Sequence, residues 1–139
     1  MEYLKSELRL ILMEPAERLK NARDVLLKLH KSMLDLERDM YEGIHGKLNA
    51  TDFLNLLMED EDFSWLRKFS ILIVEIDEMF DLKADVTPEM IDANLKKVRE
   101  LVEMKEPDEY FRAKYQFALQ RDPNAVGLHS QLKALMSRA

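Results

Sequence analysis

The chain has no cysteine, only three glycines and only four prolines in its 139 residues. Without cysteine there is no disulfide, no zinc–thiolate site and no thiol nucleophile, a composition suited to a reducing compartment. So few glycines and prolines leave too little turn chemistry for an all-β fold. Long hydrophobic runs are missing too, and no uncharged stretch approaches the ~20 residues that cross a bilayer. The opening "MEYLKSELRLILME" is interrupted by Glu2, Lys5, Glu7 and Arg9, unlike the apolar core of a signal peptide. Nor is positive charge in excess: the net charge is −6, and cations alternate with acids, as in "ERLKNARD". Nucleic acid and anionic membranes both recruit clustered Lys and Arg, so neither is an expected partner. The expectation is a soluble cytoplasmic protein.

What remains is rich in Leu, Met, Glu, Lys, Arg and Ala, the strong helix formers. Hydrophobic residues make up 47% of the chain and charged ones 35%, enough for a core that needs no covalent staples. Residues 3–13 place Leu4, Leu8, Ile11 and Leu12 on one helical face. From Pro15, a seam of Leu19, Ala22, Leu26, Leu29, Met33, Leu36 and Met40 repeats in steps of three and four, predicting one long helix. Val25, Leu27, Leu34 and Tyr41 widen that seam, and Gly43 and Gly46 end it.

Thr51 is the expected N-cap of a short helix that stops at the acidic run Glu59–Asp62. "DFSWLRKFSILIVEIDEMF", residues 62–80, holds the sole tryptophan and predicts a third major helix, greasy all round its middle because Ile71 and Val74 join the apolar faces. In "DVTPEM", Thr87 caps and Pro88 opens the next helix. A further helix is expected from Pro107 to Arg121, and Asp122–Pro123 repeats the cap-then-proline signal for a last one. The predicted fold is all-α: an antiparallel helical bundle of four principal helices with short accessory helices. A weak boundary at residues 103–109 divides a bundle core, 1–104, from a C-terminal helical hairpin, 105–139, packed on the same domain.

Polar residues on apolar stripes are the candidate functional residues. His30, Glu37 and Tyr41 share a stripe with Leu27 and Leu34 beside the main seam, while Trp65, Arg67 and Asp77 lie on the third major helix. If the two helices meet, these six form a candidate polar network, either fixing helix register or lining a ligand pocket. "EGIH" spells Glu-x-x-His, so Glu42 and His45 are the one metal candidate; carboxylate-bridged bundles use that motif twice and this chain has it once. No other cofactor is expected. The serines form no nucleophile elbow and the glycines no phosphate loop, so the motifs lean away from an enzyme.

Two resemblances add to this reading. "LHKSMLDLERDMYE" with "DFSWLRKFSILIVEIDE" resembles a pattern in small uncharacterised bacterial all-helical proteins, which implies one structural unit and no known activity. "YQFALQRDPNA", with Tyr115, Ala118 and Pro123, is similar to the end of a tetratricopeptide repeat, although the preceding helix lacks that family's glycine and aromatic residue.

The functional expectation is a non-enzymatic interaction module that self-associates, most simply as a homodimer, with a further protein partner possible in principle. The alternative is a helical bundle that binds a small ligand or metal, catalytic or not, at the polar stripe.

Overall fold

A computed structural model describes residues 15–105 and 107–137 of the chain. The helix expected over residues 3–13 lies outside them. Within them the protein is all-helical, with six α-helices and no strand.

The first helix, α1, runs Pro15–His45, about 46 Å at 1.5 Å per residue. Its buried residues Leu19, Ala22, Leu26, Leu29 and Met33 follow the predicted seam, but beyond them Glu37 of the neighbouring stripe is buried while Leu36 and Met40 are only half-buried. It stops where Gly46 turns to φ 88°, a left-handed conformation with no Cβ penalty for glycine. The next helix, α2 (Ala50–Glu59), is capped by Asn49, whose side chain accepts from the Asp52 N–H at 2.8 Å. Thr51 therefore sits inside the first turn, a correction to its expected capping role. Asp60 caps a single 3₁₀ turn, Glu61–Phe63, which leads into α3 (Ser64–Asp81).

Thr87 accepts from the Met90 N–H at 3.2 Å and Pro88 opens α4 (Pro88–Val102). Helix α5 spans Glu109–Arg121: Asp108 is its cap, accepting from the Phe111 N–H at 3.1 Å, so Pro107 lies before the helix rather than in it. Asp122 caps α6 (Pro123–Met136).

Helix α1 is the spine, packing against α3, α4 and α6, while α3 also meets α2, α4 and α5. Side chains fix directions. Near the start of α1, Arg23 forks onto Asp77 near the end of α3. Near the end of α1, Tyr41 stacks 6.0 Å from Phe63, so α1 and α3 run antiparallel. Trp65, Phe69, Phe111 and Tyr115 pack edge-on and tilted at 5.3–6.5 Å between α3 and α5. All four are buried, in the same cluster as the α1 seam and as Leu132 and Met136 of α6. A large aliphatic or aromatic side chain at full burial contributes about 1.5–3 kcal/mol, and this cluster is where most of the fold's stability arises.

The middle of α3 departs from expectation. Trp65, Leu66, Phe69, Leu72, Ile73, Ile76 and Met79 are buried, but Ile71 and Val74 are 56% and 51% exposed. Helix α3 is one-sided rather than greasy all round.

Candidate functional site

The six residues of the predicted network occupy separate places. His30 is half-buried, its ring stacked 6.4 Å from Phe69, and burial pushes its pKa down. Trp65 is buried against Phe69 and Phe111, with no hydrogen-bond partner for its indole N–H. Arg67 donates to the Asp60 carbonyl at 3.0 Å, tying α3 to the turn before it. Asp77 accepts twice from Arg23, at 2.8 and 2.9 Å. Only Glu37 and Tyr41 line one cleft.

The reason is axial. Arg67 and Asp77 are ten residues apart, about 15 Å along α3, and the antiparallel α1 brings Arg23, not Glu37, level with Asp77. Arg23 was legible: it extends the stripe of 27, 30, 34, 37 and 41 one step back. Its guanidinium fork matches a carboxylate geometrically.

The Glu37 and Tyr41 cleft is the arrangement with most chemistry. Glu37 is only 7% exposed and accepts from the Lys114 ammonium of α5 at 2.7 Å. Around that ion pair lie Tyr41, Ile44 and His45 of α1, Phe63 of the 3₁₀ turn, and Tyr110 and Phe117 of α5, enclosing about 360 Å³. Tyr41 and His45 stack with ring centres 4.3 Å apart. The Tyr110 hydroxyl donates to the Asp62 carbonyl at 2.8 Å, and burial, then the nearby Asp62, Glu37 and Asp60, raise its pKa. Such a cleft offers the carboxylates of Glu37 and Asp62, one ammonium and aromatic walls. No motif singled out Lys114, Tyr110 or Phe117, because the polar and apolar residues of α5 do not separate into clean faces.

Glu42 and His45 do share the last turn of α1, but Glu42 is engaged elsewhere. It accepts from the Leu48 N–H at 2.8 Å and from Arg38 at 3.4 Å, and these contacts, the backbone one first, hold its pKa low. Among the described residues no group of three or more His, Asp or Glu is placed to hold a metal ion. Glu42 instead seals the helix end, accepting from the backbone beyond it.

No family model, curated protein or solved structure matches this chain. Its functional reading therefore rests on its own geometry.

Two further polar junctions tie helices together. Ser32 of α1 hydrogen-bonds the Asp122 carboxylate and accepts from the Asn124 amide at 3.1 Å, latching the α5–α6 turn to the middle of α1. Tyr115 of α5 and His129 of α6 are joined at 2.7 Å between the hydroxyl and Nδ1. Burial raises the tyrosine pKa; burial and then Lys133 lower that of the imidazole. Both junctions join helix to helix, and the first also lines an open groove of about 550 Å³ with Lys28, Lys31, Asp35, Asp39 and Arg121. Among the described residues, no helix is long and apolar enough to cross a membrane.

Proposed function

We propose that this protein is a non-enzymatic cytoplasmic interaction module that self-associates as a homodimer, built on α1, α3, α4 and α6 arranged as an antiparallel four-helix bundle with α2 and α5 as accessory helices. One observation carries the reading: besides apolar side chains exposed singly, two neighbouring pairs stand in the solvent. Ile71 and Val74 are one turn apart on α3, and Leu54 and Met58 one turn apart on α2, all more than half exposed. Scattered exposed aliphatics are ordinary on a monomer, but paired ones on a helix face mark a contact surface. The polar junctions support the same reading, since each is satisfied by its own neighbours and holds helices in register. Sedimentation velocity of the full chain across micromolar concentrations tests it. A dimer is expected, and a monomer throughout would refute self-association.

A second reading is favoured by one feature, the Glu37–Lys114 pair at the base of an aromatic cleft. A small molecule carrying both an amine and a carboxylate could bridge that pair and lay its apolar part on Tyr41 and Phe117. Calorimetric titration with small zwitterions tests it; the absence of saturable heat at millimolar ligand removes the reading.

A further inference from the structure

Helix α3 carries its charges the wrong way round for its own dipole. A helix favours acids near its positive N-terminal end and cations near its negative C-terminal end. Helix α3 has no acid in its first turn and no base in its last. Its two cations, Arg67 and Lys68, lie in the N-terminal half, and its acids, Glu75, Asp77, Glu78 and Asp81, in the C-terminal half. Some of this is compensated within the chain: Asp77 by Arg23, Glu75 by Lys97 at 2.8 Å, and Lys68 by Asp108. Glu78 is exposed and makes no ion pair among the described residues.

On the same side of α3 stand the two exposed aliphatics. At 100° per residue, Lys68, Ile71, Val74, Glu75 and Glu78 fall within about 120° of arc, so they form one strip: a cation, two apolar residues, then two acids. Next to it, an open groove of about 270 Å³ between α3 and α4 has Ile71, Leu72 and Leu101 along it and Lys68, Glu75, Lys97 and Glu100 at its rim.

The two ends of a strip ordered this way, cationic and acidic, are complementary to each other when it is reversed. We propose that this face of α3 is the contact between two copies of the chain, packed antiparallel about a two-fold axis passing midway between Ile71 and Glu75. That axis brings Lys68 opposite Glu78 of the second copy, and Ile71 opposite Val74 and Glu75 of the second copy. Each pairing then occurs twice, as an isologous contact requires. The antiparallel arrangement also sets each helix's cationic half against the other's acidic half and opposes the two dipoles. The groove beside Ile71 receives aliphatic bulk from the facing copy. The inference rests on the self-association proposed above and names the surface responsible for it.

Charge reversal tests it on the full chain by sedimentation velocity. Lys68→Glu and Glu78→Lys should each weaken dimerisation roughly tenfold or more, since each sets like charges face to face at two places. The double variant Lys68→Glu/Glu78→Lys should restore the dimer, because the exchanged charges meet again across the axis. Lys68 also lies 3.8 Å from Asp108 of its own chain, so a second measurement avoids that position. The chain has no cysteine, and Ile71→Cys mixed with Glu75→Cys should form a disulfide-linked pair faster than either variant alone. A wild-type dimer that all these variants leave unchanged, with no preferred cross-link, overturns this interface while self-association stands. A wild-type monomer overturns both.

Discussion

Removing the charge of Lys114 should cost far more than removing that of its partner. Lys114→Met keeps the aliphatic stem beside Phe117, whose ring centre lies 5.8 Å from the ammonium, but strands the Glu37 carboxylate. The Glu37 side chain is 9% exposed and that of Lys114 is 24% exposed. Breaking a fully buried pair costs 3–5 kcal/mol, whereas surface pairs contribute about 0.2–1 kcal/mol. A carboxylate this enclosed, with a cation partly in water, lies between them, at roughly 2 kcal/mol for Lys114→Met. For a chain of this size that is a fall in Tm of roughly 8 °C. Glu37→Leu should cost less, under about 1 kcal/mol, because the long lysine can swing its ammonium to solvent. The pair Glu37→Leu/Lys114→Met should return close to wild type, giving a coupling of about 2–3 kcal/mol. Trp65 is the only tryptophan, so urea unfolding followed by its fluorescence reads all four proteins. Equal costs for the two single variants, or additivity in the double, would refute the reasoning that burial of Glu37 controls this pair.

Gly46→Ala should destabilise by about 1 kcal/mol through backbone strain alone, since φ is 88° and an added Cβ would meet no atom within 4 Å; thermal denaturation measures it, and no loss would contradict the left-handed turn. Asp122→Ala should cost about 2 kcal/mol, because the carboxylate both caps α6, accepting from the Asn124 N–H at 3.1 Å, and holds Ser32; Ser32→Ala, which spares the cap, should cost roughly half as much. Burial lowers the pKa of His30 and of His129 below 6.5, so the unfolded chain takes up protons first as the pH falls. Their contribution to stability is full above about 6.5 and is lost as the pH drops through the folded-state values; in urea titrations His30→Leu should flatten that decline, and an unchanged slope would exclude His30 as a source.

The helix starts legible in the sequence were those with a local cause. Thr87 before Pro88 and Asp122 before Pro123 state cap and first turn together, and the seam from Leu19 to Met33 states the buried face of α1. Asn49 went unread because Thr51, two residues on, carries the same kind of capping oxygen. Periodicity reports which face of a helix a residue occupies and not its level along the bundle axis. His30, Glu37 and Asp77 therefore looked like neighbours, although the antiparallel crossing of α1 and α3 sends Asp77 to Arg23. The exposure of Ile71 and Val74 was illegible for a related reason: α3 has apolar residues on every side, and only the placement of its neighbours decides which side is left open. Lys114 was hidden by the weak patterning of α5, whose buried Phe111, Tyr115 and Ala118 stand beside charged residues.

Helix α2 contains no buried residue. It is held by half-buried Phe53, Leu56 and Leu57 packed on the core, with the edge of Phe53 against Phe63 at 6.4 Å and Arg38 lying 5.0 Å over the Phe53 ring, and the turn before it by the Arg38 hydrogen bond to the Leu48 carbonyl at 2.8 Å. The interlocked core meanwhile runs from α1 to α3 without passing through it. Amide protons of residues 50–59 should therefore exchange by a local opening that leaves the rest of the molecule closed. For protein engineering the same property makes it a graft point: a loop, a tag or new chain ends can replace α2 at little expense to the remaining fold.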